Sequence, residues 1–404
     1  MRVLIILQGP PGAGKSTLVK EAGLEHYCLS SDDIRLKYNG LILTEYGYGI
    51  SQEDNKDVFR LFYSLIEERM RKSLFTIIDS TNVRAEDINK FKQLSKDYRY
   101  KVYVVRFDNV SLDELMERNK YRGFRNVPED IVKRMYKTMK VEKVPSWIDG
   151  VVSPDEFMSI AMYKLVDLSS YKKVIHVGDV HSCFDALKAG IGEINPSFFY
   201  VFHGDLLDRG VQHEETLRFF MSIVDKPNVV ILWGNHEDHL WAYANGHVRR
   251  NKSFTDTAKS LSRFDKKEIR SFLKKLKPVF AYEYKGKRVL CTHGGLPVFP
   301  DNLYLVRDSQ FIRGVGDCET DIDLLFEKNE TRHNYFQVHG HRNVFGKPIR
   351  ASENSFNLDG NVEIGGELRI LTLSDEGFEE IAIPNPNAVE IIEETKELIA
   401  ATAE

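Results

Sequence analysis

The first residues that could do chemistry lie at positions 9–17, where the sequence reads Gly-Pro-Pro-Gly-Ala-Gly-Lys-Ser-Thr. This fits the Gly-x-x-x-x-Gly-Lys-Ser pattern of a phosphate-binding loop. The glycines let backbone N–H groups cradle phosphate oxygens, the lysine reaches the β- and γ-phosphates, and the serine hydroxyl ligates Mg²⁺. The pattern predicts a site for ATP and Mg²⁺ at Gly9, Gly12, Gly14, Lys15, Ser16 and Thr17.

A phosphoryl group held at that loop needs an acceptor, and residues 27–38 (YCLSSDDIRLKY) offer groups that could bind one. Asp32 and Arg35 lie three residues apart at a predicted helix start, so both can face one way. A carboxylate can accept the proton of an attacking hydroxyl, and an arginine can hold an anionic acceptor. Asp33 is the next candidate for the base. Asp32 could instead cap the helix predicted to begin at Ile34.

Two more segments could complete this first set. An apolar run at 75–78 is followed by the polar residues Asp-Ser-Thr-Asn at 79–82, which could assist the metal or the acceptor. Polar groups at the carboxyl end of a strand lie beside the phosphate-binding crevice in such folds. Arg118, Arg122 and Arg125 recur at helical spacing before and after Gly123. Arginines on such a lid can neutralise a transferring phosphoryl group.

The second set of reactive residues lies in five short segments, VGDVHSC (177–183), HGDLLDRG (203–210), WGNHED (233–238), CTHGGLP (291–297) and VHGHRN (338–343). Four of them directly follow an apolar run, which places them at strand ends. Carboxylates together with imidazoles suit Mn²⁺, Fe or Zn²⁺ better than Ca²⁺, and a pair of such ions can act on a phosphate ester. The candidate ligands are Asp179, His181, Asp205, Asn235, His293 and His341.

These residues need a scaffold, and the apolar runs predict one of α/β class. Runs at 3–7, 74–78 and 102–107 alternate with helical patterns, which indicates a parallel sheet. A second set lies at 173–177, 199–203, 229–233, 279–284, 288–292, 334–338 and 368–373. At 404 residues two domains are expected. We predict domains at 1–150 and 172–385, a linker at 151–171, and an acidic C-terminal helix at 386–404.

Composition and charge narrow the possible partners and compartment. The net charge is −4, but residues 117–140 hold eight basic and three acidic residues, and residues 245–277 hold eleven and three. Each basic segment is either a solvated face or a nucleic-acid contact. The four cysteines show no paired spacing, and no run of 18 apolar residues occurs. A reducing cytoplasm and no membrane partner are therefore expected.

The first 140 residues resemble the kinase domain of polynucleotide 5′-kinases of the T-even phage and bacterial RNA-repair type. The resemblance is carried by GxxGxGKST, SDDIR, IIDSTN, LMERNKYRGFRNVP and VKRMYKTM, in that order and spacing. It implies a P-loop kinase fold in which Asp32 is the general base and Arg35 grips the 3′-side phosphate of the acceptor. It also implies that Arg122, with Arg118, contacts the donor phosphates. A phage-encoded protein would act in the host-cell cytoplasm.

Residues 172–375 resemble the calcineurin-like metallophosphoesterases, near the Ser/Thr phosphatases and the diadenosine tetraphosphate hydrolases. The resemblance implies an αββα sandwich with two divalent metal ions, Mn²⁺ being the leading candidate. It places Asp179 and His181 on one ion, a bridging Asp205, and the other three ligands on the second ion. The remaining implied site residues are the general acid His236, its partner Asp208, and the phosphate-holding Arg209 and Arg313. His176, His203 and His339 are interpreted as structural, and a role for Asp359 stays open.

Kinase fused to phosphoesterase resembles bacterial end-healing enzymes, which phosphorylate a 5′-OH and remove a 3′-phosphate. The expected partners are therefore RNA or DNA ends and a separate ligase. A second hypothesis pairs the kinase with a dinucleoside polyphosphate hydrolase or a protein Ser/Thr phosphatase. A third is a regulatory nucleic-acid-binding module that uses ATP only as a switch. The sequence leaves open RNA against DNA, 3′-phosphate against 2′,3′-cyclic phosphate, the metal, and the oligomeric state.

Overall fold

A computed structural model of the chain describes residues 2–44, 47–247, 254–317, 319–344 and 346–387. The chain divides into two compact units between residues 163 and 164, and the short segment Asn302–Arg307 groups with the first unit. The predicted α/β fold class, with a parallel sheet in the first domain and a layered sandwich in the second, is confirmed.

The first unit contains seven strands and eight α-helices among its described residues. The strands are β1 (Val3–Gln8), β2 (Cys28–Ser30), β3 (Leu41–Thr44), β4 (Gly47–Ile50), β5 (Thr76–Asp79), β6 (Lys101–Arg106) and β7 (Gly150–Val152). The helices are α1 (Lys15–Glu21), α2 (Ser31–Asn39), α3 (Asn55–Arg71), α4 (Ala85–Asn89), α5 (Lys92–Asp97), α6 (Leu112–Lys120), α7 (Glu129–Val141) and α8 (Phe157–Ala161).

The first unit is built on a five-stranded parallel sheet in the order β2-β5-β1-β6-β7. The central strand β1 (VLIILQ) is buried at every position, as expected for a parallel strand covered by helices on both faces. Its odd-numbered residues pack with α1 and α7, and its even-numbered ones with α3. This alternation follows from the two-residue repeat of a strand. Strands β3 and β4 form a separate antiparallel hairpin.

The second unit contains ten strands and seven α-helices among its described residues. The strands are β8 (Val166–Asp167), β9 (Lys173–Val177), β10 (Phe198–Phe202), β11 (Val229–Ile231), β12 (Val279–Tyr284), β13 (Lys287–Thr292), β14 (Tyr335–His339), β15 (Ser355–Asn357), β16 (Glu367–Ser374) and β17 (Gly377–Pro384). The helices are α9 (Phe184–Ile191), α10 (His213–Ile223), α11 (Glu237–Ala244), α12 (Phe254–Ser260), α13 (Lys266–Leu273), α14 (Asp308–Arg313) and α15 (Ile322–Asn329).

Two five-stranded sheets pack face to face in this unit, in the orders β11-β10-β9-β16-β17 and β15-β14-β13-β12-β8. The layer between them contains large apolar side chains from both, such as Phe199 stacked on Phe280 with ring centroids 5.6 Å apart. Helices α9, α10, α11 and α13 cover the outer face of the first sheet. Strands β9, β10 and β11 run parallel, so their carboxyl ends lie at one edge.

Several sequence predictions meet the described residues only in part. The segment predicted as a linker, 151–171, holds the end of β7 together with α8 and β8. Of the predicted C-terminal helix, residues 388–404 lie outside the described residues, as do Cys318 and positions 248–253 of the second basic segment. The described cysteines are Cys28, Cys183 and Cys291, and none of them is in a disulfide. In the described ranges no helix combines the length and the hydropathy needed to span a bilayer.

Candidate active sites

The phosphate-binding loop of the first unit links β1 to α1 and has the backbone that its glycines permit. Gly12 and Gly14 adopt left-handed φ angles of 85° and 100°, which residues with a side chain rarely adopt. Gly9 serves packing instead, because an added Cβ would lie 2.9 Å from the Phe107 Cβ. Lys15 Nζ donates to the carbonyl oxygens of Gly9 and Pro10 at 2.8 and 2.9 Å. The loop backbone therefore fixes the position of its lysine.

The predicted Mg²⁺ ligand Ser16 lies against the end of the neighbouring strand. Its Oγ donates to Asp79 Oδ2 at 2.6 Å, and Asp79 is the last residue of β5. Burial lowers the pKa of Lys15, and the nearby Asp79 carboxylate opposes that shift. A hydroxyl and a carboxylate side by side beside a phosphate-binding lysine are suitable Mg²⁺ ligands. The polar residues at this strand end are therefore part of the site.

Asp32 lies in the first turn of α2 and does not cap that helix. The cap is Ser30, whose Oγ accepts the backbone N–H of Asp33 at 3.3 Å. The Asp32 carboxylate instead lies between two arginines, with Oδ1 3.4 Å from Arg35 Nη1 and Oδ2 3.8 Å from Arg122 Nη2. The exposed Asp33 is turned to Arg125 at 2.6 Å. The geometry favours Asp32 over Asp33 as a general base.

The Arg35 side chain is held in place by α3, a contact that the sequence pattern did not reveal. Its Nε and Nη2 donate to Asn55 Oδ1 at 3.2 and 2.8 Å, and its guanidinium lies 5.1 Å from the Phe59 ring centroid. Cation–π contact and a two-pronged hydrogen bond fix a planar guanidinium in a way a lysine could not reproduce. Arg35 therefore presents its remaining N–H groups beside Asp32 in a defined direction.

The lid arginines lie around a loop that Asn119 closes at its base. The Asn119 side chain donates to the Val127 carbonyl at 2.6 Å and accepts the Val127 N–H at 3.2 Å. Within this loop Arg122 Nη1 is buried without a hydrogen-bond partner among the described residues. Arg118 Nη1 lies 3.5 Å from the Gly12 carbonyl oxygen. An unsatisfied guanidinium N–H beside a phosphate-binding loop is suited to an incoming anion.

These groups line a single large cleft of the first unit, with a volume of about 2120 Å³. Its walls include the phosphate-binding loop, the start of α2, the β3–β4 hairpin and the lid between α6 and α7. Basic side chains predominate on the lid side, namely Arg118, Lys120, Arg122, Arg125, Lys133 and Arg134. The first basic segment of the sequence is therefore one wall of this cleft.

The second unit brings together the six predicted metal ligands from loops that follow five strands. Asp179 and His181 follow β9, Asp205 follows β10, and Asn235 follows β11. His293 follows β13, and His341 follows β14. Two pairs of imidazoles lie around Asp205, and one ring nitrogen of each imidazole lies within 4.8 Å of an Asp205 oxygen. The pairs are His181 with His236 and His293 with His341. The arrangement makes Asp205 the common member of two adjacent clusters.

Distances around Asp205 support two ion sites that share this carboxylate. Asp205 Oδ2 lies 3.2 Å from His293 Nε2 and 3.7 Å from His181 Nε2. Asn235 Oδ1 lies 3.0 Å from the same His293 nitrogen. His293 Nδ1 faces the His203 carbonyl oxygen at 2.7 Å, so the ring presents Nε2 to the cluster. A backbone carbonyl on the far ring nitrogen is the usual way in which proteins orient a metal-binding histidine.

Two buried polar atoms indicate that the cluster is incomplete without cations. Asp179 Oδ1 and His181 Nδ1 are both buried and lack a hydrogen-bond partner among the described residues. Such orphans are rare in folded proteins and point to an unseen ion or water. The backbone allows Asp179 to lie there only because Gly340 has no side chain, since a Cβ would be 2.0 Å from Asp179 Oδ1. The residues present therefore fit a pair of divalent ions.

Burial and the neighbouring charges shift the pKa values of the candidate ligands. Burial by itself would lower the pKa of His293, but the carboxylates of Asp205 and Asp179 outweigh it and raise that pKa to about 10. Burial raises the pKa of Asp179 well above its usual value. Burial also lowers the pKa of His181 to about 4, which leaves a neutral ring with a lone pair for a metal.

His236 and Asp208 form the predicted acid pair beside this cluster. His236 Nδ1 lies 2.8 Å from Asp208 Oδ2, and its Nε2 lies 3.9 Å from Asp205 Oδ2. Burial alone would raise the pKa of Asp208, but the hydrogen bond and charge of His236 hold it at about 2. Asp208 therefore stays ionised and accepts the Nδ1 proton, so Nε2 is the ring nitrogen that faces the Asp205 cluster.

The two predicted phosphate-holding arginines differ in their surroundings. Arg209 Nη1 donates to Glu363 Oε1 at 3.1 Å, and the Glu363 carboxylate is almost fully buried next to the cluster. Arg313 pairs with Asp238 at 3.1 Å, and 55% of its side chain is exposed. Glu363 thus holds Arg209 at the site, whereas the Arg313 guanidinium pairs with Asp238 at the rim of the site.

The three flanking histidines, interpreted as structural from the sequence, have clear partners. His176 and His203 are fully buried and bond to each other at 3.1 Å, and their outer nitrogens meet the Tyr282 hydroxyl and the Thr292 carbonyl. His339 Nε2 meets Asp323 Oδ1 at 2.9 Å. Asp359 lies close enough to raise the pKa of Asp179, although it is a smaller cause than burial. These contacts support the structural interpretation of the three histidines.

One buried carboxylate of this site was missed in the sequence, although it directly follows His236. Glu237 accepts the backbone N–H groups of Gly234, Asp205 and Leu206 at 2.7, 2.9 and 3.0 Å. It thereby ties the loop after β10 to the loop after β11. Its position next to a predicted catalytic histidine was the only available signal, because the three N–H groups it binds carry no sequence pattern.

The loops are also held in strained backbone conformations that ordinary residues avoid. Left-handed φ angles occur at Asp205 (48°), Asp208 (84°), Arg209 (65°), His181 (43°) and His341 (63°). Such conformations cost about 1–3 kcal/mol each and persist where the surrounding structure enforces them, typically at functional sites. Three of the six candidate ligands, His181, Asp205 and His341, and Asp208 of the acid pair are therefore among the strained positions of this unit.

Comparison with known proteins agrees with this two-site description. The family model described as "Calcineurin-like phosphoesterase" matches residues 172–369, and the one described as "AAA domain" matches residues 4–142. A symmetrical bis(5′-nucleosyl)-tetraphosphatase of Vibrio campbellii is 39% identical over 103 residues, 24% of this chain and 36% of the relative. Its counterpart from Shewanella loihica is 31% identical over 158 residues, 38% of this chain and 56% of the relative.

A solved structure of a protein serine/threonine phosphatase from Saccharomyces cerevisiae aligns over 57% of this chain and 85% of its own length, with a TM-score of 0.39 and 15% identity. The chain thus covers about a third to just over half of the length of the two tetraphosphatases. The matched families and the two sites agree in their positions along the sequence. This chain joins an N-terminal P-loop domain of AAA type to a C-terminal calcineurin-like metallophosphoesterase domain.

Proposed function

We propose that the protein is a bifunctional end-healing enzyme that phosphorylates the 5′-OH of a polynucleotide and hydrolyses its 3′-phosphate. The observation that carries the kinase half is the position of Asp32 between Arg35 and Arg122, in the same cleft as the phosphate-binding loop. A base flanked by arginines suits an acceptor hydroxyl that carries a neighbouring phosphate. The basic lid wall suits a polyanion better than a small neutral acceptor.

In the kinase reaction the Asp32 carboxylate accepts the proton of the 5′-hydroxyl as its oxygen attacks the γ-phosphorus of ATP. The bond between that phosphorus and the β,γ-bridging oxygen breaks, and ADP leaves. Lys15 and Arg122 neutralise the phosphoryl oxygens, and Arg35 holds the 3′-side phosphate of the acceptor. Mg²⁺, held by Ser16 with Asp79 beside it, would supply further charge neutralisation when bound.

In the phosphatase reaction a water oxygen attacks the phosphorus and the bond to the ribose 3′-oxygen breaks. His236 gives its Nε2 proton to the departing oxygen, while Asp208 holds Nδ1. Two divalent ions, with Mn²⁺ the leading candidate, would polarise the phosphate and lower the pKa of the attacking water when bound by the Asp205 clusters. Arg209 lies at the site to receive a phosphate oxygen.

The second candidate function is hydrolysis of dinucleoside polyphosphates by the second unit. The observation that favours it is the similarity to the symmetrical tetraphosphatases, at 31–39% identity over part of each chain. Those proteins act on a phosphoanhydride, whereas the kinase cleft with its acceptor-side arginine favours a polynucleotide for the joined chain. Both substrates would use the same cluster and general acid.

The test is one incubation of the full chain with ATP, Mg²⁺, Mn²⁺ and a short RNA carrying a 5′-OH and a 3′-phosphate, followed by mass analysis of both ends. We expect a gain of one phosphate at the 5′ end and a loss of one at the 3′ end. A DNA oligonucleotide and a 2′,3′-cyclic phosphate end run in parallel define the preference. Hydrolysis of diadenosine tetraphosphate with neither end changed would overturn the proposal in favour of the second candidate.

A further inference from the structure

Helix α12, in the basic segment after β11, sends one buried side chain to the acid pair of the second unit. Thr257 is completely buried, and its Oγ1 donates to Asp208 Oδ1 at 3.2 Å. The neighbouring polar residues of α12 face outward, as the exposed pair Asp256 and Lys259 shows. In the sequence this segment is distinguished only by its charge. Helix α12 nevertheless also places one buried side chain in the phosphoesterase site.

The hydrogen bond from Thr257 restricts the rotation of the Asp208 carboxylate. Oδ2 of Asp208 accepts from His236 Nδ1, and Oδ1 accepts the Arg209 N–H at 2.9 Å as well as the Thr257 hydroxyl. The terminal torsion of an aspartate is broad and has no sharp preference of its own. Donors on Oδ1 consequently fix the plane of the carboxylate and thereby aim Oδ2 at the histidine.

We propose that Thr257 is a positioning residue for phosphoester hydrolysis: it holds Asp208 so that His236 delivers its proton to the leaving oxygen. The inference rests on the proposed phosphatase function of the second unit. The Thr257 hydroxyl bonds to Asp208, so it acts through that carboxylate. Its contribution should therefore be confined to the proton-transfer step and should vary with the need of the leaving group for a proton.

Leaving-group chemistry separates this role from a structural one. An alkoxide such as the ribose 3′-oxygen is strongly basic and needs a proton as it departs, whereas 4-nitrophenolate is a stable anion that leaves without one. Damage to proton delivery should slow hydrolysis of the alkyl ester and spare the aryl ester. Damage to folding or metal binding should slow both equally.

The experiment compares kcat for a nucleoside 3′-monophosphate and for 4-nitrophenyl phosphate, using the Mn²⁺-loaded full chain. Thr257→Val keeps the shape and removes the hydroxyl, and we expect kcat for the nucleotide to fall about tenfold, in the range found for groups that orient a site residue. We expect kcat for the aryl ester to change less than about twofold, and Thr257→Ser to restore the nucleotide activity. The matched control is Thr216→Val, since Thr216 is equally buried but its hydroxyl donates within α10 to the Gln212 carbonyl.

An equal loss for both esters, or no loss for either, would overturn the positioning role. Should Thr257→Val fold poorly, the same comparison is made in Thr257→Ala and in the double variant with Asp208→Asn. A residue acting through Asp208 must add little to the loss already caused by Asp208→Asn, whereas independent effects would add. Failure of the unaltered protein to hydrolyse the nucleotide, with the aryl ester still cleaved, would overturn the proposed function and this inference together.

Discussion

The two sites of this chain handle charge in opposite ways. In the first unit the candidate base lines an open cleft and is already paired: 36% of the Asp32 side chain is exposed, and arginines lie on both of its sides. In the second unit Asp205 and His293 are almost completely buried, and one oxygen of the Asp179 carboxylate has no hydrogen-bond partner in the part of the chain that the structure describes. A partly solvated carboxylate that is paired with arginines is stable as an anion, whereas a buried cluster of acids is stable only when it binds protons or cations.

The strongest test of this contrast is removal of the shared carboxylate of the second unit. Asp205→Asn should abolish metal-dependent hydrolysis of 4-nitrophenyl phosphate, because both clusters lose their common ligand. Phosphorylation of a 5′-OH oligonucleotide should continue at the original rate. Asp225→Asn, which changes an exposed acid paired with Lys275, is the control and should alter neither activity. Loss of both activities in a folded Asp205→Asn protein would contradict the assignment of separate sites.

The corresponding change in the cleft should have the converse result. Asp32→Asn should lower 5′-phosphorylation by about 10²- to 10⁴-fold, the usual contribution of a general base, and leave hydrolysis unchanged. The measurement is transfer of labelled γ-phosphate to an oligonucleotide. Asp33→Asn is the matched control, since Asp33 is adjacent and charged but pairs with Arg125. A larger loss in Asp33→Asn than in Asp32→Asn would transfer the role to Asp33.

The affinity of the buried cluster for metal should depend on pH. A partly solvated ion pair such as that of Asp32 and Arg35 would show little dependence. The raised pKa of His293, about 10, means that its ring holds a proton at neutral pH that a metal must displace. Mn²⁺ affinity should therefore increase with pH, by roughly 100-fold between pH 6 and pH 8 for one proton released. Calorimetric titration in two buffers of different ionisation enthalpy counts the protons, and a count of zero would contradict the prediction.

The smallest expected effect concerns acceptor binding in the open cleft. Arg35→Lys keeps the charge but loses the paired bonds to Asn55 and the contact with Phe59, so the KM for the oligonucleotide should rise about tenfold. The KM for ATP should stay the same. Arg60→Lys, an exposed residue paired with Asp57, serves as the control. An effect on ATP rather than on the acceptor would place Arg35 on the donor side.

Much of the framework was accessible from sequence because its elements repeat with simple periods. Each of the ten apolar runs corresponds to a strand within two residues, for example 229–233 to Val229–Ile231. Strands with mixed exposure were missed, as in the β3–β4 hairpin and in β17, where apolar and polar residues share both faces. Their position is set by pairing with a neighbouring strand, which no local period reports.

The site residues likewise fall into those that the sequence predicts and those that it does not. Motif residues such as Lys15 and Asp205 carry their chemistry in their type and spacing, so the sequence was sufficient to name them. Asn55, Glu237 and Thr257 act through contacts with residues far away in the chain, and apart from the position of Glu237 next to His236 no local pattern distinguishes them. The helix-cap alternative for Asp32 could be settled only by the backbone, which starts α2 at Ser31, three residues before the predicted Ile34, and makes Ser30 the cap.

The Asn119 amide has a consequence for the energetics of nucleotide capture. Because it binds Val127 across eight residues, it closes the intervening segment into a ring, and the segment carries Arg122 and Arg125. The conformational entropy of that segment is surrendered when the domain folds, so little remains to be lost when a ligand arrives. Asn119→Ala, which removes the bonds to Val127, should leave every arginine present and yet slow nucleotide binding. The segment that carries the arginines would then be unordered before the phosphates bind, and ordering it would cost conformational entropy.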